Sequence, residues 1–398
     1  MGWLGLDDTD HLGGGCTTEV FDSLLRSLPS WVEVGVPRLV RLWPFAQKRT
    51  RGNAALGVEL RCDDDSNLID HLDVYWREYI EPLGGFQSPS TISSRVQVQS
   101  SPGMVWFSNR PDERYYLDAV RKEVTLGDAP VPTKSWGGAG QIGAIAAVSW
   151  PLHRVTYEAI AWRKHERYSM SRQIDSNVID AIDGWPEIVF SRDPRKGTSL
   201  IAPRGQSPVL FGVRARTYDG AEEAASLLIA SEHTEEVEGF RVFATNQASG
   251  DHLGDSIHAK LLGLEVHPKR KHARLDTDAG PMVAFFEGGP VNQLARWLVA
   301  GDTIEVRGLL DTDGVLHIEQ MQVISFAPRR KQRPLCEDCS QRLKSMGAKQ
   351  GLRCPSCRRR FEDDWVEITP SPPFNGWVEP SVDARRHLAR PLAWDDEK

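Results

Sequence analysis

The sequence predicts a multidomain α+β protein that ends in a small metal-bound ribbon, and three observations carry the prediction. Four of the six cysteines fall in one short segment, strand and helix patterns alternate between Tyr157 and Ser231, and strand-like runs replace helical spacing after Glu235. At 398 residues, 40% hydrophobic and 26% charged, the chain is long enough for about two to four domains. No stretch approaches the ~20 apolar residues of a membrane span, the run Ile142 to Val148 being short and glycine-flanked. Met1 to Leu6 runs straight into acidic residues without a basic region or cleavage site, so it does not read as a signal peptide. A cytoplasmic protein is expected, with no membrane partner and no evident obligate protein partner.

The chain opens on the strand-like Trp3 to Leu6, which stops at Asp7-Asp8-Thr9-Asp10. A glycine loop, Gly13-Gly14-Gly15, then leads through Cys16 and Thr17 into a predicted helix from Thr18 to Arg26. Three carboxylates, a glycine turn and two hydroxyls suit magnesium and a polyphosphate together: carboxylate oxygens bind the hard cation, and glycine lets backbone amides approach phosphate. The helix start adds a positive dipole end. The loop lacks G-x4-G-K-[ST] and is not a P-loop. On composition alone it reads equally as a turn or helix cap, and Cys16 as a small packing residue. Lys48-Arg49-Thr50-Arg51-Gly52-Asn53, after a strand-like Val32 to Trp43, is a second patch suited to phosphate. Asn67 to Ile80 has helical spacing, and Ala139 to Val148 is small and apolar enough to lie against another backbone or a ligand.

From Tyr157 to Trp162 a strand is expected, then a helix from Ser176 to Ile182, strands at Ser199 to Ile201 and Val209 to Val213, and a helix from Gly220 to Ser231: a compact α/β sandwich. Strand-like runs at Gly239 to Ala244, Ser256 to Val266, Met282 to Phe286, Thr303 to Leu309 and Val315 to Val323 fit a five-stranded barrel of OB type, with helical Asn292 to Leu298 inserted. Lys269, Arg270 and Lys271 form a basic run in that region, and Phe285, Phe286 and Trp297 are read as core residues. A Pro/Arg-rich linker over 328–334 follows.

Cys336-x2-Cys339, fourteen residues, then Cys354-x2-Cys357 is the spacing of a tetrahedral zinc site. Four thiolates leave no position for substrate water, so the zinc is structural. The net charge of the chain is -7, yet residues 329 to 360 hold eleven Lys and Arg against two acidic residues. That excess marks Arg358, Arg359 and their neighbours as a surface for RNA phosphate.

Several blocks resemble one family in order. Gly5 to Asp10, Gly15-Cys16-Thr17-Thr18, Thr50 to Asn53, Pro102-Gly103, Gly140 to Ala144, Thr156-Tyr157-Glu158, Pro208 to Arg214, Asn246-Gln247 and Ala384 to Leu388 are similar to segments of archaeal tRNA(Ile) 2-agmatinylcytidine synthetases. The resemblance implies ligation of agmatine to carbon 2 of the wobble cytidine in a CAU anticodon, with ATP cleaved to AMP and phosphates and the base carbonyl oxygen phosphorylated on the way. It implies a cytidine kinase-like catalytic domain over 1–136, a ferredoxin-like domain over 137–238, an OB-fold domain over 239–327, and a zinc ribbon with a tRNA-binding tail over 328–398. Asp7, Asp8 and Asp10 would hold magnesium and position ATP, and Thr17 matches a phosphorylated threonine. The nucleotide would also touch Gly13, Gly14, Gly15, Cys16, Thr18, Lys48, Arg51, Gly52 and Asn53. RNA would meet Lys269, Arg270, Lys271, Arg358, Arg359, Arg385, Arg386 and His387. The sequence departs from the family pattern at His11 to Gly14, at Asn246 to Asp251 and at Ala215, positions expected to bear on RNA contacts. Two other functions fit the residues alone: a non-catalytic binder of single-stranded nucleic acid, and a magnesium-dependent phosphatase or nuclease using the same aspartates.

Overall fold

The computed structural model describes residues 1–11, 15–47, 53–86, 98–193, 196–203, 207–347, 349–362, 364–368 and 371–394. The chain divides into two compact units, one of residues 1–253 with the tail from Val382, the other of residues 254–381.

The first unit is built on one ten-stranded sheet. Its strands are β1 (Gly2–Asp7), β2 (Glu33–Val34), β3 (Arg38–Arg41), β4 (Ala54–Arg61), β5 (Gly103–Phe107), β6 (Lys134–Gly137), β7 (Thr156–Arg163), β8 (Ile188–Val189), β9 (Val209–Ala215) and β10 (Val237–Thr245). They lie in the order β6-β5-β1-β4-β3-β10-β7-β9-β8, with β2 on β4. The helices are α1 (Thr17–Ser27), α2 (Asp65–Tyr75), α3 (Glu113–Arg121), α4 (Gln141–Ser149), α5 (Ser176–Asp183) and α6 (Tyr218–Ala230).

Alternation in β1 sends Leu4 and Leu6 to one face, where Phe21, Leu24 and Leu25 of α1 and Leu68 and Leu72 of α2 cover them. Trp3 faces the other side, with Ala144, Ile145 and Val148 of α4. Side chains of Asp64, Asp112, Asp175 and Thr217 cap α2, α3, α5 and α6 by accepting backbone N–H groups of their first turns. Helix α4 has no side-chain cap and is buried nearly all round, so its stability comes from packing. A Cβ on Gly5 would stand 2.5 Å from the Ala144 carbonyl oxygen. The small apolar segment after Ala139 thus does lie tightly against a neighbouring backbone, as a helix on β1.

Several sequence expectations are corrected. The run Val32 to Trp43 is not one strand: Pro37, which has no N–H to donate, separates β2 from β3. Ser199 to Ile201 makes only an isolated bridge, from Ser199 to Arg192. Helix α4, just beyond the expected boundary at 136/137, packs on β1 and β4. Gly239 to Ala244 does not open the barrel: it belongs to β10, which pairs antiparallel with β7 and parallel with β3 through Ala244↔Arg38 and Thr245↔Leu39. The elements from β7 to β10 follow the order β-α-β-β-α-β, so β10 completes them. The tail from Val382 groups with this unit and not with the ribbon.

In the second unit β11 (Ile257–Val266), β12 (Ala273–Thr277), β13 (Gly280–Ala284), β14 (Thr303–Leu310) and β15 (Leu316–Ser325) close a barrel in the order β11-β12-β13-β15-β14, and α7 (Pro290–Trp297) lies between β13 and β14 in sequence. Sequence reading reached five strands by counting β10 and missing β12. In β12, Ala273, Leu275 and Thr277 are buried and Arg274 and Asp276 exposed, a period of two masked by the Lys269 to His272 run just before it. Two small sheets follow: β16 (Arg330–Gln332) with β20 (Val366–Ile368), and β17 (Lys344–Ser345), β18 (Leu352–Arg353) and β19 (Arg360–Phe361).

Candidate active site and metal centre

Strand β1 delivers Asp7 at its C-terminal end. The chain then turns through Asp8 at φ 60°, a left-handed conformation that aspartate tolerates better than most residues. The Asp8 N–H donates to Asp7 Oδ1 at 2.7 Å, while Asp8 Oδ2 accepts from the Ser101 N–H at 2.9 Å. His11 stacks on Phe86 at 5.3 Å between centroids. Gly13 and Gly14 lie outside the described residues. Gly15, at φ 73°, brings the chain back, and extended Cys16 starts α1 without capping it by its side chain. The first N–H groups of α1 therefore carry no side-chain cap, which is the condition for binding an anion there.

A cavity of about 470 Å³ opens beside this turn. Asp7, Asp10, Cys16, Thr17 and Thr18 line one side, and Arg41 of β3, Glu158 of β7 and Arg214 of β9 another. The two threonines differ. Thr18 Oγ1 accepts from Trp162 Nε1 at 3.0 Å and lies 3.0 Å from Cys16 Sγ, so its hydroxyl is tied into the fold. Asp7 is held above the usual carboxylate range by burial, reinforced by the charges of Asp8 and Asp10. A bound cation would relieve that repulsion, so Asp7 and Asp10 suit a hard metal ion; Asp8, engaged with Ser101, does not line the cavity.

Glu158 is 4% exposed and lies between two arginines, 3.6 Å from Arg41 and 3.5 Å from Arg214. Gln247 Nε2 donates to the same carboxylate, and the Gln247 Oε1 atom is 3.2 Å from His387 Nδ1. Desolvation lowers the Arg41 pKa, with Glu158 opposing the shift. The charge of Arg41, then desolvation, then Arg214 push His387 well below the ordinary histidine range, so the ring is neutral at physiological pH. Asn246 accepts the Arg41 N–H at 2.8 Å and donates to the Arg41 carbonyl and to Tyr116 Oη, and Tyr116 donates to Asp251. The departures from Asn246 to Asp251 thus fall in a buried network behind the cavity and not on an RNA-facing surface. His387 turns Nδ1 into that network while the residue itself stays exposed; Arg386 lies over the Phe45 ring at 4.7 Å.

Sequence reasoning did not single out Arg41, Glu158, Gln247 or Arg214. Glu158, Gln247 and Arg214 stood inside matching blocks, but nothing in a linear sequence says that β3, β7 and β9 bring these charges together. Of the second phosphate patch, Lys48, Arg51 and Gly52 lie outside the described residues. Asn53 donates to the Trp43 carbonyl, closes the approach to β4 and does not line the cavity.

The four ribbon cysteines do converge. Their sulfurs all lie within 4.8 Å of one another, with Cys336–Cys357 and Cys336–Cys339 at 3.6 Å and Cys339–Cys354 at 3.4 Å. Tetrahedral zinc with Zn–S near ~2.3 Å needs sulfurs roughly 3.8 Å apart, so the cluster fits the ion. The two knuckles repeat one geometry: Ser340 N–H donates to the Cys336 carbonyl and Arg358 N–H to the Cys354 carbonyl, with Ser340 and Arg358 both at positive φ. Arg359 pairs with Asp338 at 3.0 Å, and Lys269, Arg270 and Lys271 are exposed at the β11–β12 hairpin. Chelation of zinc is expected to erase amide hydrogen-exchange protection over 334–361 while the ten-stranded sheet keeps its own, because so small a core cannot hold itself together without the ion.

A cleft that sets carboxylates and an uncapped helix start against paired arginines, in a chain that continues into a five-stranded barrel and a four-cysteine ribbon, defines a multidomain nucleic-acid-modifying enzyme. Family models described as the TiaS TCKD domain, the TiaS FLD domain and the TiaS C-terminal zinc ribbon domain match residues 3–72, 138–252 and 333–369. The tRNA(Ile) 2-agmatinylcytidine synthetase TiaS of Methanosarcina mazei is 31% identical over 441 residues, which cover 99% of this chain and 98% of that protein. The protein of the same name from Pyrococcus horikoshii is 30% identical over 431 residues, covering 98% and 96%. A crystal structure of TiaS in complex with its isoleucine tRNA and ATP is similar at TM-score 0.75 and 26% identity, covering 98% of this chain and 97% of that one. The chain belongs to the tRNA(Ile) 2-agmatinylcytidine synthetase (TiaS) family.

Proposed function

We propose that the chain ligates agmatine to carbon 2 of the wobble cytidine of the isoleucine tRNA with a CAU anticodon, consuming ATP. The relatives are named for that activity, and the observation that carries it to this chain is the cleft in which Asp7, Asp10 and Thr17 share a cavity with Arg41 and Arg214. Phosphoryl transfer needs positioning and charge neutralisation more than covalent chemistry. The start of α1 and the two arginines receive phosphate oxygens from ATP, and the Thr17 hydroxyl is the one placed to take a phosphoryl group. Asp7 and Asp10 would hold Mg2+, which would supply neutralisation of phosphate charge. Transfer of a phosphoryl group to the base carbonyl oxygen turns it into a leaving group; the agmatine amine then forms the C–N bond and loses a proton as phosphate departs.

In finer terms, the β1–β6 part with α4 reads as the cytidine kinase-like catalytic portion. The β7–β10 part has the order of a ferredoxin-like fold. The barrel, with strands in the order 1-2-3-5-4 and a helix between the third and fourth, reads as an OB fold. Lys269, Arg270, Lys271, Arg358, Arg359, Arg385 and Arg386 supply cations for RNA phosphate, and zinc organises the ribbon that carries two of them. No described helix is long and apolar enough to cross a membrane, and we place the protein in the cytoplasm, where charged tRNA is used.

The threonine pair tests the reading. Thr17→Ala is expected to abolish agmatine transfer with the thermal midpoint unchanged, whereas Thr18→Ala loses the Trp162 hydrogen bond and lowers the midpoint while transfer persists. Persistence of transfer in Thr17→Ala would remove that hydroxyl from the chemistry.

A further inference from the structure

Phe285 and Phe286 are not core residues. They follow β13 on the barrel surface, 39% and 53% exposed. Phe285 meets the His272 ring edge-to-face at 5.0 Å and lies 4.9 Å from the His317 ring, and the Phe286 N–H donates to His272 Nδ1 at 3.0 Å. His317 Nε2 is in turn 2.9 Å from Asp311 Oδ2, so two turns of the barrel brace one aromatic cluster.

The cationic hairpin is fixed to the same place. Asn292, 1% exposed at the start of α7, donates both to the Lys271 carbonyl and to the Ala284 carbonyl at the end of β13. His267 closes the hairpin, its Nδ1 accepting from the N–H groups of Lys269 and Arg270. Exposed rings and exposed cations are therefore held side by side by buried or intra-turn hydrogen bonds. Besides Asp311, the acidic Glu287 lies 3.8 Å from His272.

We propose that this face is a stacking platform for unpaired nucleotides of the RNA substrate, with Phe286 as the principal ring, Phe285 as its braced neighbour and Lys269 to Lys271 on the phosphates. Flat aromatic surface beside a cationic turn is what a single strand needs: each base offers a π-face and each linkage a charge. A duplex buries its base faces and has no use for the rings. A docking protein would favour a patch depleted of charge at its centre, unlike this one. The proposal rests on the reading that the substrate is RNA.

The test uses the full zinc-loaded chain with two fluorescent probes, a short unstructured RNA and a blunt RNA duplex. Phe286→Ala is expected to weaken binding of the single strand by about five- to a hundredfold, to leave duplex binding and the thermal midpoint unchanged, and to be rescued by Phe286→Trp. Equal weakening on both probes, or no weakening on the single strand, overturns the platform; the second result leaves the patch to a protein partner or to solvent. Agmatine ligation separates this from the catalytic proposal. Platform variants raise KM for tRNA at unchanged kcat, whereas a wild-type chain that binds single strands but ligates no agmatine refutes the catalytic reading and leaves the platform standing.

Discussion

Asp7→Asn is expected to lower agmatine transfer on the order of a thousandfold or more, the scale on which transition-state charge stabilisation is lost, and yet to raise the thermal midpoint of the metal-free protein. Both effects have one cause. Asp7 is buried and faces the charges of Asp8 and Asp10, which lifts its pKa above the unfolded value. A group raised in this way favours folding below its unfolded pKa, and that contribution is lost as pH rises through the folded pKa. Above the folded pKa the ionised carboxylate therefore strains the fold. Asparagine removes the charge while its Oδ1 can still accept the Asp8 N–H. Differential scanning calorimetry with and without Mg2+ checks the sign: the ion should stabilise the wild type and leave the variant unmoved.

Two glycine substitutions form the second large effect, and they are expected to fail in opposite ways. A Cβ on Gly103 would stand 1.9 Å from the Gln141 nitrogen and 2.3 Å from the Gly140 carbonyl carbon. Both are backbone atoms at the start of α4, so Gly103→Ala must part β5 from that helix and is expected to destabilise by about 3 kcal/mol or more. A Cβ on Gly143 would stand 1.9 Å from Asp7 Oδ2. Side-chain rotation relieves that clash, so Gly143→Ala should change the midpoint little. It displaces the Asp7 carboxylate all the same, and transfer should fall nearly as far as in Asp7→Asn. Denaturant titration and transfer assays on both variants check the contrast; full activity in Gly143→Ala would mean that the Asp7 orientation does not matter.

What could be read before folding was chemistry carried by neighbours in sequence. The four ribbon cysteines and the strand, acidic loop and helix of the N-terminus are local patterns, and the structure keeps them. The arginine side of the cleft was hidden because Arg41, Glu158 and Arg214 come from three strands far apart in the chain and meet only through the order β3-β10-β7-β9. Asp8 looked equivalent to Asp7 and Asp10, yet strand alternation and a left-handed turn send it to Ser101. Strand β10 was assigned to the barrel because an apolar run carries no mark of which sheet it joins. The contact of His387 with Gln247, and through it with Glu158, was hidden because the fold alone brings these distant residues together.

The central claim is best tested by incubating the purified protein with unmodified tRNA(Ile) bearing a CAU anticodon, ATP, Mg2+ and radiolabelled agmatine, with Asp7→Asn alongside. Label recovered at the wobble cytidine with wild type and absent with the variant is the predicted result. RNA binding without label in either protein, or label that survives in Asp7→Asn, would contradict the account.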